Sequence, residues 1–291
     1  AVERRDDVVP ALHREHRLGA LGVGADAPFA ARIHQFQNLA LAQHRHGAAG
    51  AGIAGGQAVE DSVEAAARAV VTITGKIRPS MLEFMDAVAI NAVEDKLRMG
   101  LDRNAAAMMV AASDDRGPAG ARDAEYMAEV FTEHGATEVF STSDPEEGEA
   151  FVAARRFAIP AVEARGSLLL EDVGVPLPAL ADLVGGVEKI AANHDLMISV
   201  IAHAGDGNTH PLIVFDPSDA AMEQRAQQAF GEIMDLAVSL GGTITGEHGV
   251  GRLKRDALPA QLGPEVMALT RRVKDALDPQ GILNPGVVLG P

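Results

Sequence analysis

The chain has no cysteine and no tryptophan, and its one tyrosine is Tyr126. Without a thiol there is no disulfide framework, no thiolate metal site and no cysteine nucleophile, and redox compartment cannot be read from the composition. Aromatic residues are only 3% of the chain, so a core must be packed from Ala, Val, Leu, Ile and Met. Positive charge is also scarce: 25 Lys and Arg stand against 41 Asp and Glu, a formal net charge of −16. Phosphate backbones need a basic surface, so nucleic acid is excluded as a partner. A small anionic substrate is not excluded, because one nearby arginine or metal ion outweighs a diffuse distant field. No run approaches the roughly 18–20 continuous apolar residues of a membrane-spanning helix, and no secretory leader pattern is seen. The expectation is a cytoplasmic protein that reaches a membrane only through a partner.

What is present is concentrated in two runs near the C-terminal end, HAGDGNTH at His203–His210 and TGEHGVGR at Thr245–Arg252. The strand pattern LMISVIA ends at Ala202, and PLIVF begins a second strand at Pro211. Between them Gly205-Asp206-Gly207-Asn208 is strong turn chemistry. A four-residue loop there pairs Ala204 with Thr209 and sets His203 opposite His210, where Cβ atoms are about 5 Å apart. Two imidazoles so placed suit one divalent ion, zinc or manganese/iron, and Asp206 closes the turn. The second run adds Glu247 and His248 among three glycines. Two histidines and a carboxylate make a catalytic-type set with open positions, and the adjacent side chain is then a candidate base. The same residues also read as structural hairpin histidines, or the GEHGVG run as a glycine-rich loop holding phosphate on backbone N–H groups, although that run lacks the GxGxxG or GxxxxGK[ST] pattern in a strand–turn–helix setting.

Elsewhere the pattern alternates helices and strands. Residues 29–46 read as a helix carrying His34, His44 and His46, and the run at Gly47–Gly56 as a linker, dividing 1–56 from a domain over 57–291. Helices are expected at Val59–Val71, Ala87–Leu97 with Asp86 as N-cap, Ala121–His134, Pro145–Arg156, Pro178–His194, Asp219–Leu240 and Glu265–Leu277. Strands are expected at Ile73–Ile77, Met81–Phe84, Ala105–Ala112, Thr137–Ser141 and Gly166–Val175, beside the hairpin. Glu171 and Asp172 lack the spacing of a paired acid and base and read as structural or substrate-adjacent. Arg252, Lys254 and Arg255 read as a basic patch for a substrate carboxylate or as a solvated loop. The fold class that fits is α+β: an antiparallel sheet with helices on one face.

The segments RPSMLEFMD, HAGDGNTH, GGTITGEHGVGRLKRD and ALDPQGILNPG, in this order, resemble the C-terminal part of the FAD-linked oxidases, over roughly residues 55–291. That family includes glycolate oxidase FAD subunits, D-lactate dehydrogenases and D-2-hydroxyglutarate dehydrogenases. The resemblance implies a ferredoxin-like cap domain and FAD-dependent oxidation of a small 2-hydroxy acid to the 2-oxo acid. It implies that His203, His210 and Glu247 bind a divalent metal and that His248 is the base. It places Asn208 and Asn284 near the flavin and gives Arg155, or its neighbour Arg156, the substrate carboxylate. Leu170 stands where relatives acting on dicarboxylates carry a lysine, which favours a glycolate- or lactate-like substrate. The glycine-rich pyrophosphate segment and the TGSEGTLG-like segment of the family's flavin domain have no counterpart in the chain. FAD is therefore expected to be held mainly by residues outside it, on a flavin domain or flavoprotein subunit, with an acceptor protein or quinone and a homo-oligomer as further partners. Two other functions stay open: a non-catalytic assembly subunit of a flavoprotein complex, and a metal hydrolase.

Overall fold

The computed structural model describes residues 54–290 apart from Asp61 and Ser143. The expected N-terminal helix, its three histidines and the run up to residue 53 lie outside the described residues. Strand β1 (Ala54–Glu60) takes up the last residues of the glycine-rich run. The remaining strands are β2 (Met81–Asp86), β3 (Ala107–Ser113), β4 (Glu138–Thr142), β5 (Ser167–Leu170), β6 (Val173–Gly174), β7 (Met197–His203) and β8 (Asn208–Phe215). The helices are α1 (Val63–Thr74), α2 (Ala87–Leu97), α3 (Pro118–Glu133), α4 (Pro145–Arg156), α5 (Ala158–Glu163), α6 (Leu180–His194), α7 (Ala220–Ser239) and α8 (Leu258–Leu277). The strands form one eight-stranded sheet in the order β4-β1-β3-β2-β7-β8-β5, with β6 also on β8, and every pairing is antiparallel.

The α+β antiparallel class is therefore as expected, but the helices cover both faces of the sheet. The central strands are apolar on both sides, so each side needs a cover. Leu82, Phe84, Met109, Val200, Ala202 and Ile213 pack with α1, α3, α6 and α7. On the other face Met85, Met108, Val110, Ile201, Leu212 and Val214 pack with α2, α4 and α5. Strand β3 is buried along its whole length, which a one-sided sheet would not need.

Two local expectations fail at the start of the sheet. The helix expected from Val59 begins only at Val63, where Ser62 Oγ accepts the Ala65 N–H and caps it. The residues before it are hydrogen-bonded to β3 and β4 on both sides. The strand expected at Ile73–Ile77 is instead the end of α1, with the Ile77 N–H bonded to Ile73 O. By contrast Asp86 caps α2 as expected, accepting from the Ala89 N–H at 2.8 Å. The same carboxylate accepts from Ser199 Oγ and the Val200 N–H of β7, so it ties the hairpin strand to its neighbour. Helix α8 starts at Leu258, earlier than expected, and is broken at Gly263, whose φ is +75°.

Candidate active site

The β7–β8 hairpin closes one residue earlier than expected. Its four-residue loop is Ala204–Gly207, and His203 pairs with Asn208, while His210 pairs with Ile201. The cause is local. The N–H groups of Asp206 and Gly207 both bond His203 O, and Gly207 takes φ +80° with Val175 O so close that a Cβ would lie 2.1 Å from it. A slip of two residues in the pairing keeps every side chain on its face. His203 and His210 are thus diagonal neighbours, with ring centroids 5.3 Å apart and an interplanar angle of 89°. Asp206 closes the turn as expected, accepting the Asn208 N–H at 3.0 Å.

The second run, Thr245–Arg252, contains no helix or strand among the described residues. Its position is fixed by one buried carboxylate. Asp172 accepts from Thr245 Oγ1 at 2.7 Å and from the N–H groups of Gly246, Glu247 and His248 at 2.9, 3.1 and 3.0 Å. The register of β5 and β6 on β8, Leu170 with Leu212 and Val173 with Thr209, places Asp172 across from His210. Gly246 is required by close approach, since a Cβ there would lie 2.0 Å from Asn208 Oδ1 and 2.8 Å from Asp172 Oδ1. Behind it Lys254, buried, is 2.6 Å from Glu171 Oε1 and donates to Asp172 O at 2.5 Å. Lys254 is therefore not part of an open basic patch, and Arg255 is occupied by Asp256 and Gly286 O.

These anchors bring three expected ligands together. Glu247 Oε1 lies 3.3 Å from His203 Nε2 and 3.2 Å from His210 Nε2. His248 stacks on His210 with ring centroids 4.9 Å apart and 15° between planes, and its Nε2 is 4.0 Å from the same Glu247 oxygen. His210 is buried, whereas the side chains of Glu247 and His248 are about half exposed, so the cluster opens toward solvent on the side of the bend.

Charge follows this arrangement. The hydrogen bond that His203 makes to the Glu83 carboxylate raises the His203 pKa against the opposing effect of burial. Burial lowers that of His210, reinforced by His203 and His248. Burial acts to raise the Asp172 pKa, but the donors Thr245, His248 and Glu247 and the Lys254 charge outweigh it and hold it at about 2. Burial pushes Glu171 up to about 7 against the pull of Lys254.

The other expected site residues are placed differently. Arg155, in the last turn of α4, makes no hydrogen bond or ion pair with the trio among the described residues: its Nε is 2.9 Å from Glu83 Oε2, and Glu83 Oε1 bonds His203. Asn208 sits at the hairpin mouth with its side-chain oxygen buried and without a hydrogen-bond partner. Asn284 is exposed with φ +47°, and among the described residues no bond joins it to the hairpin. Its segment does dock on the bend, through Val288 N–H to Gly251 O. Sequence reasoning missed Glu83 and the organising part of Asp172. The available signal for Glu83 was a carboxylate in the middle of the apolar strand MLEFMD.

Among the described residues, two groups of side chains have ligand atoms close enough for one metal ion: His203, His210 and Glu247, and Asp172, His210 and His248. Asp172 is already committed to four donors from the bend, which leaves the first group as the fitting one. In that group His203 Nδ1 is hydrogen-bonded to a carboxylate, and Nε2 is left to act as a ligand. Two imidazole nitrogens and one carboxylate oxygen with an open side suit zinc, manganese or iron.

Fold and cluster together define a class: an antiparallel cap domain that brings two histidines and one carboxylate, a candidate ligand set, together at one end of its sheet. The chain belongs to the family of FAD linked oxidases, C-terminal domain, which it matches over residues 56–288. It is 37% identical over 231 residues to glycolate oxidase subunit GlcD of Bacillus subtilis, covering 79% of this chain and 49% of that protein. It is 31% identical over 231 residues to the mitochondrial D-lactate dehydrogenase [cytochrome] of Arabidopsis thaliana, covering 78% and 40%. The chain thus spans half or less of the length of these relatives. Its fold is shared with p-cresol methylhydroxylase with substrate bound, at a TM-score of 0.63 and 14% identity over 81% of this chain and 52% of that one.

Proposed function

We propose that this chain is the substrate-side part of an FAD-linked dehydrogenase that oxidises a small 2-hydroxy acid, glycolate- or D-lactate-like, to the 2-oxo acid. The observation that carries the reading is the meeting of His203 Nε2 and His210 Nε2 on one oxygen of Glu247. The substrate class is supported by two relatives, one named a glycolate oxidase subunit and the other a D-lactate dehydrogenase. His203, His210 and Glu247 would hold the divalent metal, which when bound polarises a coordinated hydroxyl. FAD, held mainly outside this chain, supplies the two-electron oxidant.

The remaining roles belong to this chain's own side chains. His248, half exposed and stacked on His210, takes the proton from the substrate hydroxyl. Arg155 carries the charge for the substrate carboxylate at the far side of Glu83. Asn208, with an unpartnered side-chain oxygen, and Asn284, on the segment docked to the bend, face the flavin side. An acceptor protein or quinone takes the electrons onward.

The test is turnover of glycolate and D-lactate by the chain joined to its flavin partner, with metal content measured in the same sample. His248→Gln is expected to lower kcat by about 10²–10⁴-fold with zinc affinity held within about threefold. Unchanged kcat would remove His248 from the chemistry. A second reading is a partner-dependent subunit without chemistry of its own. It predicts that His248→Gln leaves the complex fully active.

A further inference from the structure

Glu83 is not among the metal set, yet it touches both halves of the proposed site. It lies on β2 directly across from His203 of β7, as a paired residue in the antiparallel register. Its Oε1 is 2.7 Å from His203 Nδ1, and its Oε2 is 2.9 Å from Arg155 Nε. The guanidinium N–H is not aimed along that second contact, which is a charge pair rather than a formed hydrogen bond. The Glu83 side chain is 13% exposed and that of Arg155 12%. A carboxylate this enclosed holds one geometry, and both of its oxygens are committed.

We propose that Glu83 is a positioning residue: it fixes the Nδ1–H tautomer of His203, presents Nε2 to the metal, and ties that ligand to Arg155. A neutral imidazole that donates from Nδ1 to a carboxylate carries its lone pair on Nε2, and Nε2 is the atom that faces Glu247. The two ligand histidines differ here. His210 Nδ1 is buried with no hydrogen-bond partner, 3.9 Å from Asp172 Oδ1, so burial and packing alone set its ring. Of the two ligand histidines, His203 is the one whose Nδ1 is hydrogen-bonded to a carboxylate, and that carboxylate also faces the arginine proposed to receive the substrate. Metal site and carboxylate site therefore share one side chain on a central strand.

The inference rests on the reading of His203 as a metal ligand, and the experiment separates the two. Zinc is titrated into the full chain by calorimetry for the wild type, Glu83→Gln, His203→Ala and the double variant, with melting temperatures recorded alongside. Glu83→Gln is expected to weaken zinc binding by about 10–100-fold. In the His203→Ala background it is expected to change affinity less than about twofold, an outcome that general destabilisation would not give. Glu83→Asp, which keeps the charge but shortens the reach, is expected to fall between the wild type and Glu83→Gln. Nitrogen-15 spectra of the zinc-loaded wild type are expected to show His203 protonated at Nδ1, which decides the matter even if Glu83→Gln fails to fold. Affinity within twofold of wild type in Glu83→Gln, an equal loss in the His203→Ala background, or a His203 Nδ1 without its proton each overturns the inference while leaving the metal site intact. Absence of zinc binding in the wild type overturns the metal reading and this inference together.

Discussion

The β7–β8 hairpin and the Thr245–Arg252 bend deliver ligands to the same point by different means. The hairpin is a pair of interior strands, each paired on both sides, and its histidines are placed by register, with most of the surrounding residues buried. The bend has no regular backbone structure of its own and is largely exposed. It is held by Asp172, which gathers three N–H groups and a hydroxyl from four successive residues. One region is robust because its order is distributed over a ladder, and the other leans chiefly on one carboxylate, with the Val288 N–H to Gly251 O bond as a further tie.

The sharpest way to break that comparison is Asp172→Ala. It leaves three N–H groups of the bend without their acceptor, a cost of about 1–3 kcal/mol each where they remain buried. We expect a loss of roughly 3–5 kcal/mol in chemical denaturation and no measurable zinc binding, as Glu247 leaves the trio. A loss under about 1 kcal/mol would show that the bend has other anchors.

The hairpin has its own dependence on a carboxylate, with the opposite response to pH. Burial raises Asp86 from 3.8 to about 6 in the folded protein. Between those values the folded state binds more proton than the unfolded state, so stability falls as pH rises from about 4 to 6, by on the order of 2–3 kcal/mol. For Asp172 the folded value is depressed, so its contribution is present above about pH 4 and is lost as pH falls toward 2. Denaturation curves across pH 4–6 check the first effect, and Asp86→Asn is expected to reduce that slope, leaving the part that burial of Glu171 contributes in the same direction. A wild-type slope that rises over this range would contradict the assignment to Asp86.

Gly246→Ala is a gentler test of the bend. The new Cβ would meet Asn208 and Asp172 at well under contact distance, so the bend must shift. We expect a loss of about 1–3 kcal/mol and roughly tenfold weaker zinc binding. The smallest effect on folding is expected from His203→Ala. Its side chain is 38% exposed and makes no backbone hydrogen bond, so stability should change by less than about 1 kcal/mol while zinc affinity falls by more than about 100-fold. Calorimetry beside thermal melts reads both numbers from one preparation.

The same contrast explains what was legible in the sequence. HAGDGNTH between two apolar strand patterns gave the hairpin and the shared face of His203 and His210. The two-residue error in register did not matter, because side-chain parity survives such a slip. Asp86 as a helix cap was readable from local chemistry. The position of the bend was not, because it is set by Asp172, more than seventy residues earlier in the chain. Local pattern carries no information about such a contact, and Glu171 and Asp172 read only as structural or substrate-adjacent. Glu83 was hidden for the same reason: its meaning comes from the β2–β7 pairing, across 120 residues of sequence. Helices on both sides of the sheet were missed because an antiparallel sheet was expected to need cover on one face, whereas its central strands are apolar on both. Lys254 looked like part of an exposed patch because its buried partner, Glu171, is remote in sequence.

The most direct test of convergence is X-ray absorption at the zinc edge on the zinc-loaded full chain, with wild type and Glu247→Ala compared. The account predicts one zinc per chain, two imidazole nitrogens at about 2.0–2.1 Å and an oxygen contribution that diminishes in the variant. A spectrum with no imidazole signature, or one that Glu247→Ala leaves unchanged, would contradict it.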